Sequence, residues 1–570
     1  GLQMRFGARH NHCYTSPVYR EKVAIINRKL AERYSNHPAI IGWHISNEFG
    51  GECHCDKCRA AFREWLKEKY GTIENLNEKW WNDFWSHNYN DFEQIDPPSS
   101  LSDRGVHARN IDWQRFVTHQ TADFMKHEIS VVKSVSPNIP TTTNLMGFYP
   151  VLDYRELAKH IDFVSWDNYP AWRGDESDIL SAVNTALTND LMRSLKQKPF
   201  ILMECTPSHV NWHTINKLKR PGRHNAFALQ TVAHGSDGIL YFQWRKSRGS
   251  SEKFHGAVVD HEGSENTRVF KEVSNLGARL KKLDEIVGTM TDAKVAMIYD
   301  WSNCWGLNDA QGFQKNNKKI NETIRLWYKA LWTRGIDVDI ISPQDDFSKY
   351  KVIIDPMHYM VSCETGEKLK AFVKNGGSLL CTYTTAMVDE YDLCHLGGFP
   401  GAGLREVFGI WNEEIDTLFP EESNVIVDNN GTEFKCVDYC EIIHAESAKV
   451  LATYKQDFYS GMPAATVNDY GKGKAYYVAF RDTGDFADSI VGKILEEQDV
   501  KSNFDGSLPY GVSAHSRTDG ENLYVFVENH TDSAQTVTTE NKWTNVENGE
   551  IISEKINLNP LDVIVIKKKC

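Results

Sequence analysis

The sequence predicts an α/β chain: a (β/α)8 TIM barrel, then a flavodoxin-like α/β domain, then a small C-terminal β-sandwich. Three observations lead there. From residue 38 to about 288, short β-rich runs alternate with longer helical patterns, the signature of βα units around a parallel sheet. Each run ends in polar or aromatic side chains, where a barrel carries its active site: Asn47 and Glu48, Asn144, Asp167 to Tyr169, Glu204, and Gln243 to Arg245. No Gly-rich phosphate loop follows any of them, which weighs against the nucleotide-binding open sheet that also puts ligands at strand ends.

In chain order, residues 16–35 read as a helix, with Val23, Ile25, Ile26 and Leu30 interleaved by Arg20, Lys22, Arg28 and Lys29. Strands are expected at 39–46, 139–145, 162–167, 200–204 and 238–243. Between them, residues 112–135 repeat Trp113, Phe116, Phe124, Ile129 and Val132 at helical spacing, and 178–195 and 224–234 are helical too. A second α/β segment follows, with strands at 294–299, 337–341, 352–355 and 378–382 around a helix at 319–333. From about 507 the pattern alternates between turn residues (Leu523, Val525, Val527; Val563, Ile564, Val565), as in a small antiparallel β domain. The domains expected are therefore residues 1–288, 289–503 and 504–570, within the two to four that 570 residues allow.

Composition removes several functions. A formal charge of −13, from 64 Lys+Arg against 77 Asp+Glu, argues against nucleic acid or anionic lipid as a partner. No apolar run approaches the roughly 18 residues needed to span a bilayer. Twelve cysteines at irregular spacing do not form a disulfide framework, and point to a reducing compartment such as the cytoplasm. Four of them stand apart, Cys13 and the cluster Cys53, Cys55 and Cys58, and four thiolates suit a closed, structural Zn²⁺ site. His54 and Asp56 interleave the cluster as possible substitute ligands.

The strongest chemical signal is a pair of glutamates, Glu48 and Glu204, each at the end of an expected strand. An acid leaving an apolar strand is costly unless it is paired or used. Glycoside hydrolysis uses two such carboxyls, one to protonate the leaving oxygen and one to attack the anomeric carbon or to activate water.

At these residues the chain resembles the retaining glycosidases built on barrels. More specifically, Arg9-His10-Asn11-His12-Cys13-Tyr14, Ser16-Pro17-Val18-Tyr19-Arg20-Glu21 and Trp43-His44-Ile45-Ser46-Asn47-Glu48-Phe49-Gly50-Gly51 resemble glycoside hydrolase family 42, the β-galactosidases. The likeness continues through Phe242-Gln243-Trp244-Arg245 and Glu252-Lys253-Phe254-His255-Gly256-Ala257. It implies a retaining β-galactosidase with Glu48 as acid/base and Glu204 as nucleophile, and Asn47 on the 2-hydroxyl. It also implies Arg9, Tyr169, Trp212, Glu252 and His255 around the galactose, structural zinc on Cys13, Cys53, Cys55 and Cys58, no organic cofactor, and a homotrimer formed through the middle domain. Two other readings stand beside it: an α-L-arabinopyranosidase with the same machinery, and a non-catalytic galactoside-binding or assembly fragment. The last arises because the resemblance numbers the five strands 4 to 8. Only 47 residues precede Glu48, where three βα units need about 90–100. Strands 1–3 are therefore expected to be missing, save a tail of the third at residues 4–9.

Overall fold

The computed structural model describes residues 7, 9–99 and 104–570. The expected tail of a third strand at residues 4–9 lies largely outside them. The N-terminal part holds β1 (Trp43–His44), β2 (Thr141–Thr142), β3 (Asn144–Leu145), β4 (Ser165–Asp167), β5 (Phe200–Glu204) and β6 (Ser236–Ile239). All neighbours are parallel: β1 pairs with β2, and β3, β4, β5 and β6 follow in sequence order. β2 and β3 are one extended stretch broken at Thr143, so the five positions expected for strands are the five observed. Among the described residues they form an arc that does not close on itself.

Helices cover the arc. α1 (Pro17–Tyr34) starts with the hydroxyl of Ser16 accepting from Tyr19 N and with proline in its first turn, both strong start signals. It packs on the long helix His107–Lys133, yet leaves Val18, Ile25, Ile26, Leu30 and Tyr34 exposed. α2 (Asp56–Tyr70) follows the cysteine loop directly and ends at Gly71, whose φ of +73° a side chain would resist.

The middle part contains β7 (Val295–Ile298), β8 (Val338–Ile341), β9 (Val352–Asp355), β10 (Ser378–Thr382), β11 (Ile410–Thr417), β12 (Asn424–Asp428), β13 (Glu433–Ala445), β14 (Lys449–Tyr454), β15 (Pro463–Tyr470), β16 (Gly473–Val478) and β17 (Phe480–Asp482). Its parallel core runs β8-β7-β9-β10-β16, the flavodoxin-like doubly wound order. Beyond β16 the sheet continues antiparallel through β15, β14, β12, β13 and β11, an extension that the sequence reading does not anticipate. β13 runs through five consecutive buried residues, Tyr439 to Ile443, so both of its sides are covered there, while β11 turns exposed at Glu413 and Glu414.

The C-terminal part corrects the expected sandwich. β18 (Val512–Thr518), β19 (Asn522–Asn529), β20 (Gln535–Asn545), β21 (Ile551–Leu558) and β22 (Val563–Lys569) form one five-stranded sheet, not two packed sheets. The β20–β21 hairpin joins the rest only at Thr544–Lys567 and Asn545–Ile566. It can therefore fold back over β18 and β19, enclosing Val512, Val525, Val537, Trp543, Ile556 and Ile566 in one core. The alternation that suggests two layers is satisfied by one bent sheet. Its other face presents Tyr524, Phe526, Val563 and Val565 to the barrel helix Arg223–Ala233. At about 1.5–3 kcal/mol per buried large side chain, that seam is a strong anchor. A further core runs without a break from Phe62 and Trp113 in the barrel part to Trp327 and Leu331 in the middle.

Candidate active site

The C-terminal ends of β1, β3, β4 and β5 converge on an open cleft of about 760 Å³. Arg9, Asn47, Glu48, Tyr169, Glu204, Trp212, Glu252 and His255 all line it, so every sugar-site residue singled out in the sequence meets the others there.

Glu48 follows β1 in a backbone that L-residues resist. Ser46 and Glu48 have φ of 51° and 44°, each costing about 1–2 kcal/mol. Hydrogen bonds hold the turn. Glu48 N donates to Asn144 Oδ1 at 2.8 Å, and Ser46 Oγ donates to Glu128 at 2.8 Å. Strain held in this way at a carboxyl facing a cleft is a mark of function. Arg9 forms an ion pair with Glu48.

Glu204 ends β5, level with Asp167 of β4 because the register slips between Trp166 and Asp167. Tyr169 Oη donates to Glu204 at 2.7 Å. Burial raises the Glu204 pKa and the tyrosine hydrogen bond opposes that rise, while burial and the neighbouring carboxylate push the Tyr169 phenol far up. Edge-on contacts link Tyr169 to Trp212 at 5.6 Å and to His255 at 5.7 Å between ring centres. His255 is buried, and burial lowers its pKa. The following residue must be glycine, since a Cβ at Gly256 would come within 2.7 Å of His209 O.

Two residues of the site escaped the sequence reading except as strand ends. Asn144 Nδ2 lies 3.0 Å from Asn47 Oδ1, 2.5 Å from Asp167 Oδ2 and 3.4 Å from Glu204 Oε1, so one amide ties three strands together. Asp167 is a third carboxyl: one oxygen each of Glu48, Asp167 and Glu204 lie within 4.8 Å of one another. Burial, then the charges of its neighbours, push Asp167 up to about 10. The signal for both was available, a polar residue ending an apolar strand, but its use depends on strand register.

The four cysteines also meet. Cys13 Sγ lies 3.4 Å from Cys58 and 3.7 Å from Cys55, Cys55 lies 3.9 Å from Cys58, and all four sulfurs fall within 4.8 Å of one another. Tetrahedral ligation at about 2.3 Å places sulfurs about 3.8 Å apart, so the cluster fits a metal ion. Hydrogen bonds from Cys53 and Cys58 hold the Cys13 thiol far below its usual value, while Cys53 is pushed up to about 11. His54 and Asp56 are engaged elsewhere, with Glu52 at 3.0 Å and Arg59 at 2.6 Å, and so are not substitute ligands.

Comparison with known proteins identifies the family. Three family profiles match in sequence: "Beta-galactosidase" (family 42) over residues 1–283, "Beta-galactosidase trimerisation domain" over 293–501, and "Beta-galactosidase C-terminal domain" over 511–568. The β-galactosidase Pbg of Clostridium perfringens is 48% identical over 576 residues, covering 99% of this chain and 84% of that protein. The β-galactosidase BglY of Alicyclobacillus acidocaldarius is 49% identical, covering 94% and 79%. The solved structure of Gan42B, a family 42 β-galactosidase from G. stearothermophilus, superposes with a TM-score of 0.97 at 48% identity, covering 100% of this chain and 84% of that one. The expected loss of barrel strands 1–3 is not supported by these matches, and the fold is the barrel with additional domains that they share. On site and sequence together, the chain belongs to the β-galactosidases of glycoside hydrolase family 42, which are retaining glycosidases.

Proposed function

We propose that the cleft hydrolyses terminal β-D-galactosides by double displacement, with Glu204 as nucleophile and Glu48 as acid/base. The observation that supports this most is the separation of the carboxyls. One oxygen of each lies within 4.8 Å of the other, close to the roughly 5–5.5 Å of retaining enzymes and well short of the roughly 6.5 Å or more that an inverting enzyme keeps for a water. In the first step Glu204 attacks the anomeric carbon while Glu48 protonates the departing oxygen, giving a galactosyl-enzyme ester. In the second, Glu48 takes a proton from water, which attacks the same carbon and releases Glu204. Asn47 faces the 2-hydroxyl, the Trp212 indole offers an apolar face to the sugar, and Arg9, Glu252 and His255 supply hydrogen bonds to its hydroxyls.

Zinc is the ion we assign to Cys13, Cys53, Cys55 and Cys58. With four protein ligands it would hold the loop before α2 and leave no open position for chemistry. The trimerisation-domain match supports a homotrimer, which sedimentation would test. No helix among the described residues is long and apolar enough to cross a membrane, and the twelve unbridged cysteines favour the cytoplasm.

Azide rescue tests the two carboxyls. Glu204→Ala should abolish turnover of an aryl β-galactoside, and azide should restore some of it as the α-galactosyl azide. Glu48→Ala should spare the first step for good leaving groups and yield the β-galactosyl azide. Near-normal turnover by Glu204→Ala would end the assignment.

A further inference from the structure

We propose that Asp167 is a positioning residue for this reaction: a carboxyl that stays protonated through the catalytic cycle and donates its hydrogen bond to Glu48. The proposal rests on the reading of Glu48 as acid/base. Strand register places Asp167 beside Glu204, and its carboxyl stands within 4.8 Å of both glutamates in a pocket that leaves it 7% exposed. Three carboxylates at that spacing cannot all be ionised. Of the three, Asp167 is the most buried.

The hydrogen bonding says where the proton sits. Asp167 Oδ2 accepts from Asn144 Nδ2 at 2.5 Å, whereas Oδ1 is buried and receives no donor. An ionised carboxylate would leave that oxygen uncompensated, at a cost of several kcal/mol. A proton on Asp167 removes the deficit, because the carboxyl then donates to an oxygen of Glu48, with which it shares a hydrogen bond, whether or not Glu48 still holds its own proton. The other charged or titratable groups around the triad are Arg9, paired with Glu48, Tyr169, which donates to Glu204, Glu252 in the same cleft, and His10, His44, Tyr154 and Cys205 beside it. None of them donates a hydrogen bond to Asp167, whose one donor among the described residues is Asn144. Burial, the Glu204 charge and the hydrogen bond with Glu48 raise the Asp167 pKa to about 10, in agreement.

The consequence for catalysis is geometric. When Glu48 gives up its proton to the leaving oxygen, a neutral donor already faces the new carboxylate, and no third negative charge adds to the site. Asn144 then links this donor to Asn47 and Glu204, so all three strands share one orientation.

Asp167→Asn and Asp167→Ala in the full chain separate this role from packing. Asparagine can accept from Asn144 and donate to Glu48, so it should recover all but about threefold of kcat/KM, while alanine should lose about 100-fold on poor leaving groups and much less on good ones. The infrared band of a protonated carboxyl at pH 8 should persist in Glu48→Gln and vanish in Asp167→Asn. Asparagine as damaging as alanine, an acid limb of the pH profile shifted by Asp167→Asn, or a band that vanishes in Glu48→Gln instead would each overturn the proposal. Failure of the Glu48 reading shows separately, as the absence of β-galactosyl azide from Glu48→Ala.

Discussion

Tyr169 shows how one hydroxyl bears on the chemistry. Its hydrogen bond to Glu204 at 2.7 Å is made to a charged acceptor, a type worth about 1.5–3 kcal/mol. It also lowers a Glu204 pKa that burial raises. Tyr169→Phe should therefore reduce kcat by about 10- to 100-fold. With Glu204 as the proposed nucleophile, which must be ionised to attack, loss of the donor should also move the acid limb of kcat/KM to higher pH. A pH–rate profile measures both, and an unmoved acid limb would show that Tyr169 does not tune Glu204. Glu48 and Glu204 were legible as strand-end acids. Trp212, Glu252 and His255 were reached only through resemblance, because they sit on loops whose positions no periodicity encodes. Asn144 and Asp167 were visible as letters and not as partners.

The cysteine loop and α2 behave as one element. Four sulfurs converge where the chain turns into the helix, yet Cys55, at the N-cap of α2, makes no side-chain capping hydrogen bond. A metal would take over the work of holding that turn. Chelation should lower the melting temperature while changing turnover at moderate temperature by less than about twofold, since the ligands leave no catalytic position. Scanning calorimetry and an activity assay with and without chelator check this, and turnover lost before stability would contradict it. In β13, Glu441 is buried, accepts from Thr384 N and Tyr477 Oη at 2.7 Å each, and is raised by burial from 4.5 to about 7. Between those values the unfolded chain releases a proton that the folded chain keeps. Stability therefore falls as pH rises from 4.5 towards 7 and is level above that, by at most about 3 kcal/mol. Glu441→Gln should flatten the fall, and equal slopes of melting temperature against pH in both proteins would refute it.

Across the whole molecule, a few buried groups tie the three parts together. Arg517 of β18 donates to Val232 O at 3.0 Å, Ser236 O at 3.1 Å, Asp237 Oδ1 at 2.6 Å and Thr289 O at 2.9 Å, pinning the C-terminal sheet to the barrel. Arg193 does the same towards the middle domain, reaching Asp339 at 2.5 Å. Arg517→Ala strands four acceptors and should cost about 3–5 kcal/mol. Urea unfolding should show a lowered midpoint or a separate early phase for the C-terminal sheet, and an unchanged single transition would count against the pin.

By itself the sequence determined the class of element along most of the chain, the five parallel strand positions, the two acids at their ends and the cysteine cluster. Each of these is written in local pattern or spacing. Tertiary structure alone decided how the β20–β21 hairpin bends back into one sheet and how the middle sheet extends antiparallel past β16. It also decided that a slip of register between Trp166 and Asp167 brings a third carboxyl level with Glu204. The physical reason is the same in each case: a strand's pattern fixes which face is buried, whereas register and sheet order are set by partners distant in the chain.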